Sequence, residues 1–363
     1  MSHAICVRRC ETATLDDVVS ALDDALTQAS LRRHSDYVSR VWVLCTPHFS
    51  SMMADVAQAA VTKTQCMNVW GGCVSGLVVD GEVTGHEPAI AVAVFGHAFE
   101  TAGHEGQPFD SIRLQLSEHD PSAHTVDVAQ LNEPGTVVHN ADCLGMLSYG
   151  ANYAKMPRLH HGRLAGDHLA DTVLRVSNPL VLNSEGLEFL TDPQVVEESN
   201  GLFLIQINGL PAAHALRCPA EQTKPVGLRL QVFHAHGESW VPVMEIHADG
   251  TLGLAAPVVK GQRVRLARRT AQAIEREIPD WKTAAAKRFN NQPPAIGVLF
   301  AGFERSALCH ETDQDIAAVL AAFPDTQWFG ALGQAAWLND GATLLTPPRN
   351  NRLSICLFNA DHV

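Results

Sequence analysis

Two distant parts of this chain are written in the same structural grammar, and that constrains its fold more than any other feature. Near the front, Arg40-Val-Trp-Val-Leu-Cys-Thr-Pro-His-Phe49 is an apolar, strand-like run that opens into a loop. A helix-like stretch from Met52 to Lys63 follows, then Val69-Trp-Gly-Gly-Cys-Val-Ser-Gly76, then the apolar run Ala89 to Phe95. Near the back, Ala295-Ile-Gly-Val-Leu-Phe-Ala-Gly-Phe-Glu-Arg305 is again a strand entering a loop. A helix-like stretch from Gln314 to Ala322 leads to Gln327-Trp-Phe-Gly-Ala-Leu-Gly333, and Leu353 to Phe358 supplies the last apolar run. Each copy reads strand, polar loop, helix, Trp with a Gly-rich segment, strand. The spacing far exceeds that of solenoid repeats, so the pattern predicts duplication of one unit, with a ligand site between or beneath two Gly-rich loops.

The fold class expected is α/β: two domains built on mixed or antiparallel sheets with packed helices, sharing that pseudo-repeated strand–helix–Gly-rich–strand unit. A chain of 363 residues can bury two cores. The turn-rich patch Glu198-Ser-Asn-Gly201 sets the expected boundary, giving domains 1–200 and 201–363. A formal net charge of −13 argues against nucleic acid and against an anionic membrane surface. No run approaches the roughly 20 apolar residues of a membrane span. Met1-Ser-His-Ala-Ile-Cys-Val-Arg-Arg-Cys10 lacks the pattern of a signal peptide, so a cytoplasmic location is expected. Nine cysteines without a C-x-x-C pair fit that compartment as buried, reduced thiols.

Local patterns add detail. Apolar residues at 15, 18, 19, 22, 26 and 29 predict a helix with Thr14 as N-cap. Val78-Val-Asp-Gly-Glu82 predicts a hairpin around Asp80-Gly81, and His247 to Leu254 a turn at Asp249-Gly250 leading into a strand. Strands are expected at Leu174-Arg-Val176, Phe203 to Ile207 and Leu228 to His236, and loops from Glu100 to Asn140. Val264 to Ile278 reads as a helix with Arg268, Arg269, Glu275 and Arg276 on its exposed faces.

The functional candidates follow from chemistry. Gly71 to Gly76 could present backbone N–H groups and the small side chains of Cys73 and Ser75 to a ligand, or could be a tight turn. The spacing around Cys73 and Ser75 does not make a nucleophile elbow. Arg305 offers a planar fork for a carboxylate or phosphate, and the alternative is an ion pair with Glu304 or Glu311. Trp70 and Trp328 hold equivalent places in the two units, as core wedges or as stacking platforms. The ligand-binding set is therefore Trp70, Gly72, Cys73, Ser75, Arg305, Gly333 and Gln334, with no catalytic and no metal-ligating residue. Among 18 histidines, His48, His97, His139, His161 and His234 are the candidates for an axial haem ligand. His234 and His236 would share one strand face, whereas His160 and His161 on a strand would point oppositely.

In their order and spacing these segments resemble the FIST family (F-box and intracellular signal transduction), with its N-terminal and C-terminal domains both present. The resemblance rests on the Thr46-Pro-His-Phe49 loop, Gly71 to Gly76 with the Gly81-Glu82 turn, and Gln206-Ile-Asn-Gly-Leu-Pro-Ala212. It continues through Ala248 to Ala255, Val259 to Val264, Ile296 to Arg305 and Trp328 to Gln334, and covers about Arg40 to Phe358. It implies a bacterial-type sensory module that binds a small molecule, for which amino acids have been proposed, and some relatives bind haem to sense nitric oxide. Three departures stand out. Ala301 occupies the position where relatives often carry Cys, Glu304 precedes Arg305, and Gly333-Gln334 replaces a frequent Gly-Glu. An amide in place of an acid removes a charge that could pair with a ligand amine.

The expectation is a non-enzymatic, cytoplasmic sensory protein. It would bind an amino-acid-like metabolite between two lobes and act through a separate signalling protein, without nucleic acid or membrane. The alternatives are a haem-bound nitric-oxide sensor and a hydrolase using Cys73 or Ser75.

Overall fold

The computed structural model describes residues 3–29, 37–79, 82–84, 87–96, 110–117, 141–147, 156–165, 170–218, 227–234, 237–302, 312–333, 335–339 and 353–359. They form two compact units, the first from residues up to Ser184 and from Glu277 onward, the second from Glu185–Arg276. The chain is mixed α/β with strands predominating.

The first unit contains two sheets. One has the order β1 (His3–Arg9), β6 (Ala89–Gly96), β2 (Val38–Cys45), β3 (Val69–Cys73), β9 (Arg158–His160), β10 (Arg163–Ala165). β2 and β3 are parallel, so the chain between them must cross over, and it does so through a 3-10 turn (Pro47–Met52) and α2 (Met53–Thr64). α1 (Leu15–Gln28) starts where Thr14 and Asp17 make a reciprocal capping box, each satisfying an orphan N–H of the other. Val18, Leu22 and Leu26 of α1 and Val56 and Ala60 of α2 cover one face of this sheet, against Val41, Val43, Val92 and Val94.

The other sheet has the order β22 (Ala335–Asn339), β8 (Ala141–Leu147), β7 (Asp110–Ser117), β11 (Ala170–Ser184), β23 (Leu353–Asn359), β20 (Ile296–Gly302), β21 (Gln327–Gly333), β4 (Gly76–Val79), β5 (Glu82–Thr84). β20 and β21 are parallel, joined by a crossover that includes the helix Thr312–Ala322, and β23 is antiparallel to β20 on the other side. β6, β2 and β3 show the same arrangement in the first sheet.

The two sheets share a core. Trp42, Trp70 and Phe95 from one meet Phe300, Phe329 and Phe358 from the other. Trp42 lies at its centre, with ring centroids 4.6 Å from Phe95, 5.5 Å from Phe329 and 6.0 Å from Trp70. Burying each of these side chains contributes roughly 1.5–3 kcal/mol. Strand alternation turns Leu299, Ile355 and Leu357 to the opposite face, where they are equally buried.

The second unit is built differently. β12 (Leu187–Phe189), β13 (Gln194–Asn200), β14 (Phe203–Ile207), β16 (Leu228–His234), β17 (Gly237–Ile246), β18 (Leu252–Leu254) and β19 (Arg263–Arg269) pair antiparallel throughout. The path β19-β13-β14-β18-β17-β16 closes because β16 also pairs with β19, which makes a six-stranded barrel. Closure removes the exposed edges on which stray strands could pair. Leu204, Ile207, Leu230, Val232, Val241, Val264 and Leu266 fill its interior, with Ala212, Ala213 and Leu216 from the short helix Ala212–Ala215 and its end.

Several expectations change against this architecture. The boundary placed at 200/201 falls inside a hairpin, since Asn200 pairs with Phe203, and Glu185–Arg276 belongs to one unit. A turn-rich tetrapeptide marks a tight hairpin as readily as a linker. Residues 264–269, expected as part of a helix, belong to the strand Arg263–Arg269 because Val264 and Leu266 complete the barrel interior, and the helix begins only at Ala271. The Gly-rich segments are not loops: Val69–Cys73 and Gln327–Gly333 are central strands. The loop-rich expectation for 100–140 meets a strand at Asp110–Ser117, and residues 100–109 and 118–140 lie outside the described residues.

Candidate functional site

The site is defined by an unusual crossing. β3 ends at Cys73, and the chain passes through only Val74 and Ser75 before joining the other sheet as β4. β4 runs antiparallel to β21, with Gly76 opposite Leu332 and Leu77 opposite Ala331. The next residues along are Ser75 and Gly333, so the carboxyl ends of β3 and β21 meet here. Their parallel neighbours end at the same level, with Cys45 opposite Cys73 and Gly302 opposite Gly333. In sheets with parallel strands, ligands bind outside the carboxyl ends, where connections diverge. Ser75 and Gly333, taken from opposite ends of the sequence, are thus neighbours in the fold.

Most of the backbone at this crossing is already engaged. The N–H of Cys73 donates to the Pro157 carbonyl at 2.9 Å, and that of Val74 donates to the Cys45 carbonyl at 2.9 Å. Gly71 and Gly72 sit at φ of +145° and +150°, conformations that only glycine adopts cheaply. A Cβ on Gly71 would come within 1.7 Å of the Val43 carbonyl oxygen, and one on Gly72 within 2.7 Å of the Pro157 oxygen. The close neighbours that demand glycine are therefore the strands β2 and β9.

The expected site residues separate accordingly. Trp70 is 2% exposed, and its indole N–H donates to the Ala170 carbonyl at 3.1 Å, so it fills the core and offers no ring to a ligand. Trp328 does not match it. Phe329 and Ala331 enter the shared core, which turns Trp328 to the other face, over Gly297 and beside Phe323 at 6.5 Å. Gly72 lies within the sheet, and Gly333 is buried at the crossing. Ser75 is half-buried there. Arg305 and Gln334 lie outside the described residues.

Cys73 is fully buried on the helix-facing side of the first sheet, and loss of water pushes its thiol up to about 12. Burial raises Cys45 well above the ordinary thiol value, and the neighbouring Cys73 and Cys10 add to the effect. Neither thiol is in a disulfide and both are protonated at neutral pH, the opposite of an activated nucleophile.

Two features escaped the sequence reading. Arg158, opposite Gly72 in the antiparallel β9–β3 pair, is only 4% exposed. No local pattern could reveal it, because the pairing joins segments far apart in sequence. The other is how the loop leaving β2, already singled out in the sequence, is bonded. Thr46 is fully buried; its N–H donates to the Ala89 carbonyl at 3.0 Å, and its hydroxyl oxygen accepts the Ala89 N–H at 3.0 Å. His48, exposed beside it, has Nδ1 3.2 Å from that hydroxyl.

Haem fits the described histidines poorly, because an axial ligand belongs in an apolar pocket. His48, His161 and His234 are all exposed, and both ring nitrogens of His234 are engaged, by Ser239 at 2.7 Å and Gln262 at 3.2 Å. His97, His139 and His236 lie outside the described residues. His160 and His161 do not oppose each other as on a strand; His161 turns at φ +49°, and the rings meet edge to face at 4.1 Å. Among the described residues no group of three or more His, Cys, Asp or Glu is placed to hold a metal ion, and no helix is long and apolar enough to cross a membrane.

A cleft of about 310 Å³ lies elsewhere in the first unit, before the amino ends of β20 and β21, lined by Lys282, Ala285, Pro294, Phe323, Asp325 and Thr326 among others. The sequence matches no protein-family model, and no curated protein matches it significantly.

Proposed function

We propose that this chain is a small-ligand-binding sensory protein that holds an amino-acid-like metabolite at the crossing of β3 into β4 and passes its state to a separate signalling protein. The observation that carries the reading is the meeting of four strand ends, at Cys45, Cys73, Gly302 and Gly333, around Val74 and Ser75. Ser75 and Gly333 line this site, and Arg305 and Gln334 follow the ends of β20 and β21 in sequence. The β6-β2-β3 and β23-β20-β21 sets are two copies of one ancestral unit in this reading, in keeping with the resemblance to the FIST family. A non-enzymatic role is favoured because the thiol nearest the crossing is buried and protonated.

Signalling would work by population shift: the ligand binds one arrangement of the crossing better than another, and that difference in affinity is all it can transmit. Native mass spectrometry of the gently purified protein, compared with its denatured mass, tests the reading directly. A noncovalent excess the size of an amino acid is expected, together with a rise in Tm when that compound is added. A haem-sized excess would replace the proposal with the gas-sensor alternative. No excess, with no amino acid raising Tm, would sink it.

A further inference from the structure

The hydroxyl of Thr46 has one proton to give and a limited choice of where to give it. Its oxygen already accepts the Ala89 N–H at 3.0 Å. Two acceptors remain for its proton, the Ala89 carbonyl at 3.5 Å and His48 Nδ1 at 3.2 Å. The carbonyl is at the outer limit of a hydrogen bond and also accepts the Thr46 N–H. The shorter path favours Nδ1 as the acceptor; the other tautomer would donate Nδ1–H to the hydroxyl and leave its proton to the Ala89 carbonyl. A neutral imidazole that accepts at Nδ1 carries its own proton on Nε2. The ring is exposed, and it leaves β2 one residue past Thr46 and Pro47, at the carboxyl end where Cys45 faces Cys73.

We infer that His48 is a ligand-contacting residue of the carboxyl-end site, presenting Nε2–H to an anionic or carbonyl oxygen of the ligand, with Thr46 as the positioning residue that sets its tautomer. This rests on the proposed function for the location of the site, and it adds a ligand class, a hydrogen-bond acceptor such as an α-carboxylate. Thr46 can perform this role because both of its backbone-directed hydrogen bonds tie it to Ala89, which fixes the hydroxyl before any ligand arrives.

Nitrogen-15 NMR of the imidazole side chains reads the tautomer without any ligand. In the wild type His48 should show an unprotonated Nδ1 and a protonated Nε2. T46V should shift the ring toward a tautomer mixture and T46S should restore it, a signature that a merely structural threonine would not produce. Thermal shift with each of the twenty proteinogenic L-amino acids then reads binding. The compound that stabilises the wild type should bind H48A at least tenfold more weakly, while H48Q, whose amide keeps a donor, should recover part of the loss. Tm without ligand should be nearly unchanged in H48A, since the ring is exposed. An Nδ1–H tautomer in the wild type would overturn the inference, as would full binding by H48A. If no amino acid stabilises the wild type, the proposed function fails and the ligand-contacting role fails with it, whereas a ligand that binds H48A normally leaves that function standing and removes only His48.

Discussion

Trp70 and Trp328 are each the second residue of a Gly-containing strand, yet the fold uses them on opposite faces of their sheets. Trp70 enters the core between the sheets and bonds to Ala170, while in β21 that core position belongs to Phe329. Trp328 turns away and packs over Gly297, its partner in the adjacent parallel strand. A strand's side chains alternate, so an offset of one residue exchanges its faces. Two segments can therefore share composition, order and strand pairing while differing in which residues they bury. The comparison teaches that a Trp-plus-glycine signature locates a strand without saying where its tryptophan points.

Glycine gives the largest test of this contrast. Gly71 has backbone where a Cβ would go, 1.7 Å from the Val43 oxygen, whereas the atoms nearest a Cβ on Gly297 belong to the ring of Trp328, at 2.5 Å. Gly71→Ala is expected to cost more than about 4 kcal/mol or to prevent folding, because backbone cannot step aside. Expression as soluble protein with an unaltered unfolding midpoint would show that β2 and β3 are not packed as described.

Tryptophan replacement comes next. Trp70→Ala should destabilise by about 3–5 kcal/mol through the cavity it leaves. Trp328→Ala should cost clearly less, since its side chain is only partly buried. Urea denaturation of both variants settles the order, and equal losses would contradict the assignment of opposite faces.

Alkaline stability probes the strand ends. Cys73 ionises near 12 in the folded protein, above its ordinary value of 9.0. Above the ordinary value the unfolded chain releases the proton that the folded chain retains, so stability is whole below about pH 9 and falls as pH rises toward 12. The loss is about 1.4 kcal/mol per pH unit for each such thiol. Cys73→Ala should flatten the pH dependence above 9 relative to wild type; an unchanged slope would mean that the thiol is not buried as the fold requires. No equivalent term arises in β21, which has no cysteine.

The smallest effect is expected at Gly297→Ala. The Trp328 ring must shift, at a cost of about 1–3 kcal/mol for an overpacked contact. Its indole fluorescence should report the movement. A loss as large as that of Gly71→Ala would show the ring to be as immovable as backbone.

Local chemistry made part of this fold legible. The helix after Thr14 was readable because both its apolar period and its cap are contained within 15–28. The Asp249-Gly250 turn shows the same economy, with Thr251 N–H bonding to Asp249 Oδ1 at 2.9 Å, and Val79 pairs with Glu82 on either side of Asp80-Gly81, which lie outside the described residues. Residues 264–269 misled because a run of arginines and apolar residues can satisfy a helix or a strand, and the barrel decided between them. At the candidate site, Ser75 and Gly333 could be chosen for their chemistry, but not the glycines' packing against β2 and β9, nor the Thr46–Ala89–His48 arrangement.

The sequence by itself determined the helix after Thr14, the tight turn at Asp249-Gly250 and the burial of Cys45 and Cys356 as apolar residues. Each of these follows from periodicity, turn chemistry or hydrophobicity within a short window. Only the tertiary structure decided which face each tryptophan takes, that residues 185–276 close into a barrel, and that β3 crosses between sheets to meet the end of β21. Those outcomes depend on pairings between residues tens to hundreds of positions apart. Their free energy comes from packing and strand register, which no local stretch of sequence contains.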